Sequence, residues 1–591
     1  MKKILVNNLQ MIKYIYYFCP KHIIVTIFIS ILGSANSIVN LLYLRYLINC
    51  LENSSDINTI IAIALIMLCL NLGFMLINAF INQWLIPKNT LEINKGMQLK
   101  LMEKITSLDY ECYENKEFYD KLSLATQQSD SRALAVLGTF ANILGNLLSI
   151  GALFVLIGSF NKLIFAFILL NVFINTLINF KTTKIMHDYY ENRIQYLRKI
   201  SYVQRVFYLP YYAKELRMFL NFKNLMKEKL IINIQESIDL LKKYSNNMIR
   251  KIGIGSLSST TVNATITIIL AFGVIKGKLK LGDFIALSSG ASQLIARITQ
   301  MVSIFPDLYE HSIYIDNFNQ FINYKPKIKN KMNAILFPDN YTIKFNNVSF
   351  KYLNNSEYAI KNMCIEIKKG EKIALVGRNG SGKSTIIKLL CRLYDPTNGN
   401  LEINGLSYTD YDLESIRDKI GIVFQDQQIF SISIAENVLM RPIENINDDA
   451  EIVISSLKAV GLYEKVMSLD KGMLTVMSRE FEEDGAIFSG GELQRLLIAR
   501  MYAKGKSLLI LDEPSNSLDI FAEKELYDML LKDKEVKSVV FVTHHLSNIQ
   551  NVDKIYFIED GFIKEFGTHT SLMNLKKSYY EMYNMQARGY I

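Results

Sequence analysis

The chain has 591 residues, half of them hydrophobic, and a formal net charge of +10; its mean hydropathy is +0.15. The length calls for several domains, and this much apolarity excludes an ordinary soluble protein. The basic residues are scattered, with no stripe alternating with aromatics, so the charge points to the cytoplasmic loops of a membrane protein and away from nucleic acid.

The apolarity is uneven. Long apolar runs fill residues 22–310, and the rest reads as a soluble α/β domain. Residues 1–20 are too polar to span a bilayer. Their Ile12, Tyr14, Ile15, Tyr17 and Phe18 give an amphipathic face that suits either the membrane surface or packing. Met1-Lys2-Lys3 is not followed by an apolar core with a small-residue cleavage site, so no cleaved signal peptide is expected. Six spanning segments follow, each of about 20 or more largely apolar residues, at 22–51, 57–86, 133–160, 163–186, 248–275 and 284–309. Cys19, Cys50, Cys69, Cys112, Cys364 and Cys391 form no C-x-x-C pair and have no histidine at metal-ligand spacing. They read as reduced packing residues.

Short connections alternate with two long, charged, helix-favouring ones at 87–132 and 187–247. The long ones carry Lys88, Lys95, Lys100, Lys104, Arg193, Arg198, Lys199, Arg205, Lys214 and Arg217. The positive-inside tendency places them in the cytoplasm, with both termini. The Lys276, Lys278, Lys280 cluster works against this and is outweighed. The apolar period runs on past the spans, so the helices should project beyond the bilayer as rods. Asn36, Asn40, Asn71, Asn78, Asn142, Asn146, Asn171, Asn175, Asn263, Gln293 and Arg297 lie in or near the spans. For any one asparagine the favoured reading is an interhelical hydrogen bond. For Arg297, near the middle of the sixth span, it is an aqueous cavity.

Residues 322–340, with Pro326 and Pro338, read as a linker between a membrane domain, 1–321, and a soluble domain, 341–591. In the soluble domain the apolar run Ile373-Ala374-Leu375-Val376 precedes Gly377-Arg378-Asn379-Gly380-Ser381-Gly382-Lys383-Ser384-Thr385, and a helical run starts at Ile386. This is G-x-x-x-x-G-K-S in the strand–loop–helix context it needs. The glycines let backbone N–H groups curl around a phosphate chain, and the new helix points its positive end there. Lys383 reaches the β- and γ-phosphates, and Ser384 offers its hydroxyl to Mg²⁺.

Other features fit that loop. Leu508-Leu509-Ile510-Leu511 suits a strand buried on both faces and ends in Asp512-Glu513-Pro514. Asp512 is placed to hold Mg²⁺, and Glu513 to polarise the attacking water as general base. Val539-Val540-Phe541-Val542 ends at Thr543-His544, where His544 can hold the γ-phosphate and orient Glu513. Gln425, after the run Gly421-Ile422-Val423-Phe424, can contact Mg²⁺ and the water. Tyr352 can stack on a purine, although alone a core or surface tyrosine is the better reading. Ser489, Gly490, Gly491 and Glu492 open a helix whose free N–H groups make a second anion site. One domain needs one triphosphate site, so a second anion site suggests two copies facing each other.

Taken together, the chain resembles an ATP-binding cassette exporter, a half-transporter with an all-α six-helix transmembrane domain fused to one α/β P-loop nucleotide-binding domain. The motifs stand in family order. Gly377 to Ser384 resembles the Walker A loop, Gln425 the Q-loop and Phe488 to Glu492 the signature. Leu508 to Asp512 is similar to Walker B, with Glu513 as the catalytic base. Ser517-Leu518-Asp519 resembles the D-loop, His544 the switch histidine and Tyr352 the aromatic A-loop. The segments 113–121 and 213–219 resemble coupling helices.

Departures are Phe488 for Leu, Glu492 for Gln, His545 for Arg, and the acidic run from Ser478 to Gly485. That run, with its signature, is similar to some exporters of ribosomally made peptides. The resemblance implies ATP and Mg²⁺ as cofactors, a homodimer, a cell-membrane location and a peptide cargo, with lipid or drug export, or import, as the alternative. Residues 1–21 are too few for a peptidase domain, so the chain is expected not to cleave a leader.

Overall fold

The computed structural model describes residues 2–53, 56–158, 162–353, 355–425, 428–504, 507–513, 520–532 and 538–588. The chain divides into two compact units, Met1–Leu108 with Lys116–Tyr324, and Asp109–Asn115 with Lys325–Ile591.

The first unit is helical. Its elements are α1 (Lys2–Phe18), α2 (Pro20–Glu52), α3 (Ile57–Phe80), α4 (Ile86–Thr106), α6 (Lys116–Gly158), α7 (Lys162–Tyr208), α8 (Ala213–Met218), α9 (Leu220–Ile275) and α10 (Leu281–Ile322); α5 (Glu111–Glu114) falls in the second unit. Among the described residues, five stretches are long and apolar enough to cross a membrane: Pro20–Glu52, Ile57–Thr106, Ser131–Gly158, Ala166–Tyr208 and Leu220–Ile275. In α3 only Met67 is buried. Such a surface fits lipid as its solvent.

The sixth expected span lies in α10, which is one helix but is not among those five. Ser288, Ser289, Ser292, Gln293, Arg297, Thr299 and Gln300 dilute its apolarity. Several of these serve neighbouring helices: Gln293 Oε1 accepts from Ser37 Oγ at 2.9 Å, and Arg297 Nη1 donates to Asn146 Oδ1 at 3.3 Å. Asparagines bond between helices as expected. Asn40 meets Asn71, Asn171 Nδ2 donates to Ser258, and Asn175 Nδ2 donates to Ser259. Helix α1 buries Met11 and Ile15 and ties itself to α10 through Asn7 Nδ2, 3.0 Å from Ser312 Oγ; Leu5, Val6, Leu9, Tyr16 and Tyr17 stay exposed. Helix α8 buries Leu216 on Val203, Val206 and Met226 and leaves Met218 at the surface, as are Tyr211 and Phe219 just outside its two ends.

The second unit holds two sheets. The strands are β1 (Thr342–Phe350), β2 (Ile360–Lys368), β3 (Lys372–Val376), β4 (Asn398–Ile403), β5 (Leu406–Ser407), β6 (Ile420–Val423), β7 (Leu508–Asp512), β8 (Ser538–Val542), β9 (Lys554–Glu559) and β10 (Phe562–Gly567). The smaller sheet has the order β2-β1-β4-β5 and is antiparallel; the larger has the order β10-β9-β3-β8-β7-β6. In the larger sheet β9, β3, β8, β7 and β6 are parallel. Successive side chains on a strand point to opposite faces. Thus Ala374, Leu509, Leu511 and Phe541 enter one core, while Ile373, Leu375, Ile510 and Val540 enter the other. Burial on both faces is why these strands are written as unbroken apolar runs.

Candidate active site

In a parallel sheet the carboxyl ends of the strands share one edge, and ligands bind beyond it. Here that edge carries the phosphate-type loop after β3, Gln425 just past β6, Glu513 after β7 and His544 after β8. A cleft of about 580 Å³ is lined there by Tyr352, Asn379, Gly380, Gly382, Lys383, Ser384, Thr385, Gln425 and Glu513, with Asn355, Glu357, Tyr358 and Ala359 at its side.

The loop is shaped for close approach. Gly377 has φ 150° and Gly382 φ 105°. A Cβ at Gly377 would lie 2.1 Å from the Ile558 carbonyl oxygen, and one at Gly382 would lie 2.6 Å from Ile360 Cγ2. No other residue fits either position. The loop ends directly in α11 (Lys383–Leu390), so the first turn of a helix faces the cleft. Ser381 Oγ is buried without a partner among the described residues. Lys383 Nζ donates to the carbonyls of Gly377 at 2.9 Å and Arg378 at 3.0 Å. Burial holds the Lys383 ammonium below the usual lysine range, against the pull of Glu513 and Asp512. A narrow cradle, an orphan hydroxyl and a desolvated cation together fit an oligophosphate.

Glu513 stands at φ 49°, in the left-handed region that non-glycine residues seldom adopt. Its N–H donates to the Val542 carbonyl at 2.9 Å, which fixes this turn at the end of β7. Gln425 Nε2 donates to Glu513 Oε2 at 3.0 Å, and His544 Nδ1 lies 3.6 Å from Glu513 Oε1. Gln425, 88 positions before Glu513, and His544, 31 positions after it, therefore meet on one carboxylate. Asp512 is buried behind it at the end of β7. Tyr352 sits beside the loop, its hydroxyl 3.1 Å from Thr385 Oγ1 and its ring under Lys388 Nζ at 5.2 Å. Asp519 lies outside the described residues.

Two sets of contacts near the site have no signature in the local sequence. His545 Nδ1 is 3.1 Å from Glu523 Oε1, and its ring packs edge-on against His544 at 4.3 Å. Gln586, in the helix Ser578–Arg588, clasps the backbone around the same histidines. Its Oε1 accepts from Leu546 N at 3.0 Å, and its Nε2 donates to the His544 carbonyl at 2.5 Å.

The Ser489–Glu492 group is not brought to this cleft. Ser489 caps the helix Gly490–Ala503, accepting from Glu492 N while Glu492 Oε2 accepts from Ser489 N at 2.8 Å, a reciprocal capping box. The other carboxylate oxygen of Glu492 meets Lys465 Nζ at 2.5 Å. Lys465, then the Ser489 N–H, holds the Glu492 carboxyl below its usual range. The acid at this position thus serves its own helix start, with its charge offset by Lys465. Glu492→Ala should cost about 1 kcal/mol of stability. The sign follows from the lowered value: the contribution is present above the ordinary carboxylate range and is lost as pH falls through the folded-state value. Thermal melting of variant and wild type against pH would show their difference shrink under acid conditions.

Residues Asp109–Asn115, which link α4 to α6, pack within the second unit. Asp109 accepts from the N–H groups of Lys327 and Ile328 at 2.7 and 3.2 Å. Glu114 meets Lys388 Nζ at 2.8 Å and the Tyr394 hydroxyl at 2.5 Å, and Tyr110 packs edge-on against Tyr394. Lys388 belongs to α11, the helix that starts at Lys383. The expected coupling segment 113–121 is therefore split: residues 113–115 lie in the second unit, and 116–121 begin α6 in the first.

Residues 360–516 match the ABC transporter family. The subtilin transport ATP-binding protein SpaT of Bacillus subtilis is 26% identical over 561 residues, covering 94% of this chain and 90% of that protein. The nisin transport ATP-binding protein NisT of Lactococcus lactis is 25% identical over 504 residues, covering 84% and 82%. Relatives that are 31–36% identical are matched over about half of their length or less. A solved structure of a bacterial Atm1-family ABC exporter with ATP bound superposes with a TM-score of 0.80 at 20% identity, over 96% of this chain and 99% of that one.

Proposed function

We propose, from the premise that residues 360–516 are an ABC transporter domain, that the chain is an ATP-driven exporter of peptides in the cell membrane, working as a homodimer. The observation that carries this reading is the convergence of the phosphate cradle, Gln425, Glu513 and His544 at one sheet edge, in a chain with five long apolar helices.

The residues divide the chemistry among them. Backbone N–H groups from Gly377 to Thr385 and the Lys383 ammonium bind the phosphates of ATP and neutralise charge that builds up in transfer. Ser384, Gln425 and Asp512 would hold Mg²⁺, which supplies further charge neutralisation at the phosphates. Glu513 takes the proton of the attacking water. Gln425 and His544 orient that carboxylate, and His544 faces the γ-phosphate. Tyr352 takes the purine.

The signature group is the reason for a dimer. Ser489, Gly490 and Gly491 start a 14-residue helix with free N–H groups away from the cleft. In a symmetric pair each copy offers this anion site, with Asp519, to the nucleotide of the other. ATP then favours the closed pair of cassettes by the contacts that exist only there. Helix α8, with Tyr211, Met218 and Phe219 exposed, is the surface offered to the second cassette. The insert Asp109–Asn115 carries closure into α4 and α6, because Glu114 grips the helix that begins at the phosphate loop. In this reading both termini and the cassette are cytoplasmic, which the basic residues of the long connections support. The peptide reading of the cargo is supported by the similarity to SpaT and NisT, which extends over most of each protein.

The test is ATP-dependent uptake of a peptide panel into inside-out vesicles, with Glu513→Gln as control. Uptake by wild type alone supports the reading. Intact hydrolysis without uptake would move cargo to lipids or small molecules, or reverse the direction. Glu114→Ala should separate the two activities, with hydrolysis kept within a few-fold and uptake lost. Equal loss of both would remove the coupling role.

A further inference from the structure

Arg297 is the unusual charge of the helical unit. Counted from Phe284, where the expected sixth span begins, it stands thirteen residues, about 20 Å of helix, along. With that span across a bilayer, the position falls inside the roughly 30 Å hydrocarbon layer. Among the described residues Arg297 has no ion pair; its hydrogen bond goes to Asn146 on α6 at 3.3 Å. Nor does the sequence hold a carboxylate at this depth. Residues 20–51, 57–86, 133–158, 163–186, 248–275 and 284–306 contain no aspartate or glutamate. A second copy of the chain has the same spans, so it cannot supply the missing charge either.

Asn146 adds an independent observation. It is 2% exposed, and its Nδ2 has no partner among the described residues. A guanidinium only donates, so the amide must turn its oxygen to Arg297 and keep its N–H groups free. Ser149, one turn along the same face of α6, is 1% exposed, and its hydroxyl is also unpartnered among the described residues. Gln293, one turn before Arg297, is already committed to Ser37 on α2. Among the described residues the junction of α2, α6 and α10 thus leaves the Arg297 guanidinium with one neutral acceptor, and the Asn146 amide N–H groups and the Ser149 hydroxyl with none. Each buried orphan donor is unfavourable, and a charge in a span more so.

We propose that Arg297, backed by Asn146, is the anchor in the transport path for a carboxylate of the cargo, either a peptide C-terminus or an acidic side chain. This rests on the exporter reading. It deepens that reading by naming the chemistry that the path selects. A planar fork of donors suits a carboxylate in two-point contact.

The test uses the full chain in phosphatidylcholine nanodiscs. The probe is an acetylated Gly-Phe-Leu-Phe-Gly peptide, made with a free C-terminal carboxylate and with a C-terminal amide. Titration calorimetry should show the acid binding about tenfold more tightly than the amide, as expected of one charge-assisted contact. Arg297→Gln should bring that ratio to near one with basal ATP hydrolysis unchanged, and Arg297→Lys should keep most of it. Asn146→Asp leaves the arginine in place but gives it an internal counter-charge. It should also erase the ratio, and it should raise the melting temperature.

Equal binding of the two forms by wild type, no binding of either, a ratio that survives Arg297→Gln, or a lower melting temperature for Asn146→Asp overturns the proposal. The exporter reading is scored separately by vesicle uptake. Discrimination without ATP-dependent uptake removes the exporter and keeps the subsite. Uptake that ignores the terminal carboxylate does the reverse.

Discussion

Glu513→Gln should reduce ATP hydrolysis by about two to four orders of magnitude, the usual worth of a general base, while ATP binding persists. The substitution keeps shape and hydrogen bonding. An amide oxygen at this position can still accept from Gln425 Nε2, now 3.0 Å from Glu513 Oε2. The left-handed turn at φ 49° does not depend on the side-chain charge. What is lost is the group that takes a proton. The measurement pairs steady-state phosphate release with equilibrium binding of a fluorescent ATP analogue. Turnover near the wild-type rate in clean preparations would sink the general-base assignment.

Lys383→Met should weaken ATP binding by about 3 kcal/mol, more than a hundredfold, since two hydrogen bonds to a charged partner go with the ammonium. The lysine is desolvated before ATP arrives, and its donors are held by the carbonyls of Gly377 and Arg378. Burial lowers its folded-state value, so the charged form is disfavoured in the empty site and the cost is relieved as pH rises. Phosphates add negative charge and move the lysine back up. ATP affinity in wild type should therefore fall as pH rises through the range where the empty-site lysine loses its proton. In the variant that slope should vanish. A pH series of dissociation constants checks both parts, and an unchanged slope in Lys383→Met would assign the titration to another group.

What could be read from the sequence follows from how local each feature is. The phosphate loop needs glycines at fixed offsets between a strand and a helix, so Gly377, Gly382 and Lys383 announce themselves within one stretch. The buried strands show as apolar runs because both faces of the sheet are covered. The sixth expected span is harder. Its polar side chains serve α2, α6 and α9, and a hydropathy pattern cannot tell a buried partner from a solvated loop. Contacts across long separations leave little local trace. Glu114 and Lys388 are 274 positions apart, and although 113–121 resembles a coupling helix, nothing in that stretch names Lys388 or Tyr394 as the partners of Glu114. Glu492 puts a negative charge at a helix start, and the local sequence does not show what offsets it. Lys465, 27 positions earlier, offsets it, and only the fold brings the two together.

The clasp that Gln586 makes on the backbone around His544 and His545 has a practical side. The helix Ser578–Arg588 is a structural neighbour of the candidate site. An affinity tag placed after it, or a truncation chosen to aid crystallisation, is an intervention in turnover. Kinetic comparisons between preparations that differ only at this end should be treated as comparisons between enzyme variants.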